Sequence, residues 1–251
     1  MSMRYAAAFV CGQSHLLENL PCQDFAAGKT AGQVSVAALC DGAGSCPRSE
    51  LAAQCVCGWA LEALATKFDT FYEAETEALA DLLVTGGQAA LREQGLENVL
   101  CTMLAVACHE DGRWLAAHIG DGYIFVGERD SQRVLSYPEN GRFANETFFL
   151  CEADARSHMR TYRGQTPGRF SALLTSDGCG DSLYDTDRRA PAPAVEVLMG
   201  WLADHDGQAV SRALEHQLNE LFSARSDDDL SLALLYKEAP SEADTEGPAA
   251  P

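Results

Sequence analysis

The chain is short of positive charge. Against 37 Asp and Glu it carries only 18 Lys and Arg, a formal net charge of −19 over 251 residues. Nucleic acid and anionic membrane surfaces both call for a basic face, so neither is expected as a partner. Long hydrophobic runs are also missing: no stretch approaches the ~18 apolar residues of a membrane span. The start, "MSMRYAAAFVCGQS", has too short an apolar segment and the wrong flank for a signal peptide. There are ten cysteines but no C-x-x-C pair, which disfavours a thiolate zinc site. Cys40, Cys55, Cys101 and Cys108 lie inside apolar runs, where a free thiol behaves as a small hydrophobe. A reduced, cytoplasmic protein is therefore expected. No G-x-S-x-G elbow, G-x-x-x-x-G-K-[ST] loop, H-E-x-x-H pair or internal repeat is present.

What is there is ordinary globular material, 47 % apolar and 22 % charged. Apolar β-type runs fall near 4–11, 33–40, 100–108, 113–119, 122–126, 146–150, 171–176 and 229–236. Helical spacing appears in two pairs: "SELAAQCVCGWALEALATKF" with the segment after "YEAETEALADLLV", then "AVEVLMGWLADH" with "QAVSRALEHQLNELFS". In the last, Val210, Leu214, Leu218, Leu221 and Phe222 form one apolar stripe. Strands in groups and helices in pairs predict a layered α+β fold rather than an alternating parallel sheet. One domain over 1–237 is expected, followed by a disordered acidic tail, 238–251, that includes "EAPSEADTEGPAA".

Three of the apolar runs lead to the same dipeptide: Asp41-Gly42, Asp121-Gly122 and Asp177-Gly178. Asp227-Asp228-Asp229 precedes the last strand, and Asp24 follows "LPCQ". Any one Asp-Gly can be a hairpin turn. Acids repeated at the ends of buried strands can instead converge on one sheet edge, where they raise one another's pKa unless a cation joins them. Mg²⁺ and Mn²⁺ prefer such oxygen ligands, and an adjacent glycine permits unusual backbone angles and exposes its carbonyl as a further ligand. The residues alone thus point to a possible carboxylate metal site.

Taken in order, the words "PCQDFAAG", "VAALCDGAGSCPRSELAA", "CTMLAVACHEDGRWLAAHIGDGYIFV", "ALLTSDGCGDSLYD" and "DDDLSLALL" resemble the metal-dependent Ser/Thr protein phosphatases of the type 2C family. They span 12–236, and "GQSHLLENLPCQD" and "GRFANETFFL" resemble its bacterial branch. The resemblance implies a four-layer α-β-β-α sandwich with two central antiparallel sheets. It implies that Asp41 bridges two Mn²⁺ or Mg²⁺ ions, that the Gly42 carbonyl binds one of them, and that Asp177 and Asp228 complete the second ion's shell. Asp24 would sit beside the pair and Asp121 would match an occasional third-metal ligand. Asp228 is chosen because "DDLSL" aligns with the family's Asp-Asn-Ile-Thr-Val word, which puts Asp229 at the Asn position. Asp41, Asp177 and Asp228 are the implied catalytic acids, with a dimetal-bridging hydroxide attacking phosphorus.

The chain departs from the family pattern in two places. No Arg lies between Arg4 and Asp24 to hold phosphate; His15 falls nearest, as a phosphate-binding cation or a structural imidazole. Arg48 either leans toward the site to compensate or favours the following helix. Ala43 stands where eukaryotic relatives have a His, so a metal-bound water is expected to protonate the leaving group. His118 reads as a core residue; Arg160, Arg163 and Arg169 lie where the family carries a mobile flap and contact either a phosphopeptide or solvent. The expected partner is a phosphorylated protein, the product of a Ser/Thr kinase. A non-catalytic phosphopeptide-binding scaffold and a small-molecule phosphohydrolase are the rival readings.

Overall fold

The structure is a computed structural model that describes residues 2–128, 131–139 and 147–239. Most of the expected tail, from 240 on, and most of "GRFANETFFL" lie outside the described residues.

Two five-stranded antiparallel sheets pack face to face. The first has the order β1 (Met3–Val10), β12 (Leu230–Lys237), β9 (Phe170–Thr175), β6 (Tyr123–Glu128), β7 (Ser131–Ser136). The second runs β2 (Asp24–Ala31), β3 (Val34–Asp41), β4 (Met103–His109), β5 (Arg113–Ile119), β8 (Arg160–Gln165). Helices α2 (Ser49–Thr66) and α4 (Thr76–Glu93) cover the second sheet; α7 (Pro193–Asp204) and α8 (Gly207–Gln217) cover the first. This is the expected four-layer sandwich. The shorter helices are α1 (Gln13–Glu18), α3 (Phe68–Glu73), α5 (Ala155–His158) and α6 (Asp177–Leu183), and a small ribbon pairs β10 (Tyr184–Asp185) with β11 (Ala190–Pro191).

The continuous apolar runs are explained by burial on both strand faces. On β3, Val36, Ala38 and Cys40 pack against the helices, whereas Ala37 and Leu39 enter the layer between the sheets. On β12, Leu232, Leu234 and Tyr236 face helices, and Ala233 and Leu235 face inward. Period-two alternation therefore places Asp24 and Asp41 in line with the inward residues of their strands, at the end of the sandwich. His118 is likewise inward and buried, with Nδ1 2.8 Å from Ser136 Oγ; burial and the nearby Arg160 push its pKa well down.

Three strands had no clear apolar run: β2, β7 and β8. All three are sheet edges, where continuous hydrophobicity is not required. The run at 146–150 forms no strand among its described residues. Leu221 is exposed although its stripe partners Val210, Leu214, Leu218 and Phe222 are buried. Beyond α8 the chain passes into a π-helical turn, Leu218–Phe222, whose wider winding carries Leu221 off the apolar face.

At the β1 edge, the Ala7 amide donates to Ser211 Oγ of α8 at 3.1 Å, and Arg4 Nη1 donates to the carbonyls of Leu202 and Ala203. Leu174 is wholly buried between the sheets. Leu174→Ala should lower unfolding free energy by about 2–5 kcal/mol, read as a shifted denaturant midpoint at unchanged slope.

Candidate metal centre

Asp24 and Asp41 are direct cross-strand partners at the end of the β2–β3 pair. The Asp41 amide donates to Thr102 Oγ1 at 2.9 Å and its carbonyl accepts from the Thr102 amide at 2.8 Å. One residue on, the Gly42 amide donates to the Gln23 carbonyl at 3.0 Å. The chain end that carries Asp41 is thus bolted on both sides. Asp121 follows Gly120, whose φ of 125° suits glycine and whose carbonyl accepts from Arg160 Nη2 and the Glu139 amide. Asp177 opens α6, directly after β9.

These elements bring the Asp-Gly ends together. Carboxylate oxygens of Asp41, Asp121 and Asp177 all lie within 4.8 Å of one another. They line an open cleft of ≈ 700 Å³ that also presents Asp228, Gly42 and His15. Among the described residues no Lys or Arg lines it. Burial and the charges of Asp24, Asp177, Asp121 and Asp228 hold Asp41 well above the ordinary carboxylate range. Partial desolvation in the crowded cleft, with Asp121 and Asp228 nearby, pushes Asp177 up to about 7. Desolvation also raises Asp121, against a hydrogen bond that it accepts from Thr147 Oγ1. An oxygen-only donor set of crowded, uncompensated carboxylates fits a hard divalent cation.

The neighbouring glycines are needed for space, not for unusual backbone angles. A Cβ would come within 2.6 Å of the Ser49 carbonyl oxygen at Gly42, 2.3 Å of the Thr175 carbonyl at Gly122, and 2.3 Å of the Asp229 carbonyl at Gly178. None of the three has positive φ.

Several other site residues fall elsewhere. Asp24 is buried behind the cleft and accepts from Ser231 Oγ at 2.6 Å, a bond from one sheet to the other. Asp228 is exposed at the cleft, whereas Asp229 turns inward and accepts from the Gly12 amide at 2.7 Å and the Gln23 amide at 2.5 Å. Arg48 lines a separate groove with Leu51, Gln54 and Trp59, so it offers the cleft no cation and heads α2 in a left-handed conformation instead. Arg160 and Arg163 donate to main-chain carbonyls of Gly120 and Tyr72. Gln23 was not anticipated: it lines the cleft, is 6 % exposed, and its Oε1 has no partner among the described residues. Its only sequence signal was its place beside Asp24.

A family profile described as protein phosphatase 2C matches residues 11–222. The chain belongs to the protein phosphatase 2C family. Serine/threonine-protein phosphatase 3 of Escherichia coli (strain K12) is 26 % identical over 256 residues, covering 93 % of this chain and 98 % of that protein. The Mycobacterium tuberculosis serine/threonine phosphatase PstP/Ppp superposes with a TM-score of 0.64 at 22 % identity, covering 96 % of this chain and all of the other. A PstP catalytic domain solved with two manganese ions gives 0.62 at 21 % identity, covering 95 % and 99 %. These structures share the two-sheet sandwich described above, and membership of protein phosphatase 2C makes this chain a phosphoprotein phosphatase.

The buried Asp24 gives the metal-free protein a pH signature. Desolvation pushes it up to about 7 from an ordinary value near 3.8, so folding takes up a proton between those values. Its contribution to stability is full below pH 3.8 and is lost as pH rises to about 7. In chelator, Asp24→Asn should lessen, without abolishing, the loss of melting temperature between pH 5 and pH 8 that the parent protein shows, since Asp41 and Asp177 are shifted the same way; parallel pH profiles would count against a buried, titrating Asp24.

Proposed function

We propose that this protein removes phosphate from phosphoserine and phosphothreonine in protein substrates, opposing a Ser/Thr kinase, and that two Mn²⁺ or Mg²⁺ ions assist it. The supporting observation is the meeting of Asp41, Asp121 and Asp177 oxygens in one cleft that no Lys or Arg lines among the described residues. Asp41 would bridge the ions, the Gly42 carbonyl would bind one, and Asp177 and Asp228 would hold the other; Asp121 would take a further ion. Asp24, one layer behind, would fix Asp41's neighbourhood through Ser231. When bound, such a pair supplies an acidified water and charge neutralisation at the phosphoryl oxygens.

The chain's own residues set where this happens. Thr102 and the Gln23 carbonyl fix the Asp41-Gly42 end, and Thr147 holds Asp121. Phe148 and Phe149 line one wall of the cleft beside these acids, and Ala43, Gly44 and Ser45 line it next to Gly42. All the ligand acids are kept, which favours an enzyme over a scaffold with a decayed site. No described helix is long and apolar enough to cross a membrane.

With Mn²⁺, a phosphothreonine peptide and an aryl phosphate should both be hydrolysed. Asp41→Asn should cut kcat by about 10³-fold or more, the scale for loss of a principal charge-stabilising group. Full activity in chelator would defeat the proposal, and preference for sugar phosphates over the peptide would move it to small molecules.

A further inference from the structure

We propose that His15, held by Asp229, donates the proton to the leaving Ser or Thr oxygen. This rests on the phosphatase reading above and assigns the cleft a proton donor. Asp229 is 3 % exposed and its Oδ2 lies 3.0 Å from His15 Nδ1. A carboxylate can only accept, so Nδ1 carries the hydrogen of that bond and Nε2 is the ring nitrogen left for the cleft, which His15 lines. An imidazole oriented by a carboxylate in this way is suited to proton transfer.

The segment that carries His15 is held at three points. Gly12, just before α1, donates to the other Asp229 oxygen; Ser14 donates from both its amide and its hydroxyl to the Asp227 carbonyl. Asn19, at φ 56°, ends the helix and returns its amide to the His15 and Leu16 carbonyls. The groups facing His15 are the Asp229 carboxylate and the Cys11 thiol, with Asp228 along the same run. Burial and Asp229 raise the Cys11 pKa, so that thiol stays neutral.

Several other groups of the cleft are already engaged. Asp41, Asp121, Asp177 and Asp228 are committed to cations, and Thr147 donates to Asp121. Glu152 accepts from the Phe149 amide, and Ala43 has no side-chain proton. His15 is the imidazole among the residues that line the cleft. In the step, the P–O ester bond breaks with its electron pair going to the ester oxygen, which takes the Nε2 proton. Water provides the new P–O bond, and solvent returns a proton to the imidazole. The net change remains ester plus water to alcohol plus inorganic phosphate.

An alkoxide needs that proton far more than a nitrophenolate does. Relative to the parent enzyme with Mn²⁺, His15→Asn should lose about 10²-fold or more in kcat on a phosphothreonine peptide, the scale of general acid catalysis. It should lose less than about 10-fold on p-nitrophenyl phosphate. Asp229→Ala, which removes the positioning acceptor, should show the same selective loss. Equal losses on both substrates, or no loss on the peptide, would overturn the proton-donor role. Should neither variant fold, single turnovers of the parent enzyme decide: a solvent deuterium effect on the peptide, absent on the aryl ester, is expected, and equal effects overturn it. If the parent enzyme hydrolyses neither substrate, it is the phosphatase reading that fails.

Discussion

Negative charge crowded into one cleft is the constraint around which this molecule is arranged. Asp41, Asp121, Asp177 and Asp228 share one cleft, and no Lys or Arg lines it among the described residues. Left alone, such a group resists ionisation, as the raised pKa values of Asp41, Asp121 and Asp177 record. The scaffold that imposes this arrangement is strong because its strands are buried on both faces, and each acid lies at or just beyond a strand end. The apolar layers hold the sheets; the sheets hold the acids.

Main chains approach one another closely around the cleft. Glycines 42, 122 and 178 each let another main chain pass where a side chain would stand. The strand ends can therefore converge within a few ångströms, and the carboxylates inherit their spacing from main-chain contacts rather than from flexible side chains. The bond from Ser231 to Asp24 is one of a few polar ties between the sheets, with the His118–Ser136 and Trp114–Glu128 contacts, in a layer that is otherwise apolar.

Much of this was legible in the chain. Period-two alternation along β3 and β12 shows why the runs are apolar throughout and which faces their residues take. Repeated Asp-Gly marks the ends that meet. The edge strands β2, β7 and β8 were not legible, since a half-exposed strand such as "RTYRGQ" carries no apolar signature. The adjacent acids Asp228 and Asp229 both line the cleft, but Asp228 is exposed whereas Asp229 is buried against the N-terminal segment, and composition cannot tell such neighbours apart. The family word alone distinguished them, by putting Asp229 at an Asn position. Arg48 illustrates the opposite error: closeness in sequence to Asp41 did not bring it to the cleft, because α2 begins there and carries it toward another groove. Gln23 escaped notice because its function is mostly main-chain, its amide serving Asp229 and its carbonyl serving Gly42.

The outer rim of β1 has a consequence for how copies of this chain behave in crowded solution. A strand at a sheet margin offers unpaired amides to any passing extended chain, and polymerisation often starts there. Here Ser211 occupies one of those amides and α8 lies along the margin, with the Gly207 backbone so close to Tyr5 that a Cβ would fall 2.2 Å from its carbonyl oxygen. A second molecule could add a strand on that side only after the helix had peeled away, so stacking through this margin carries the cost of partial unfolding.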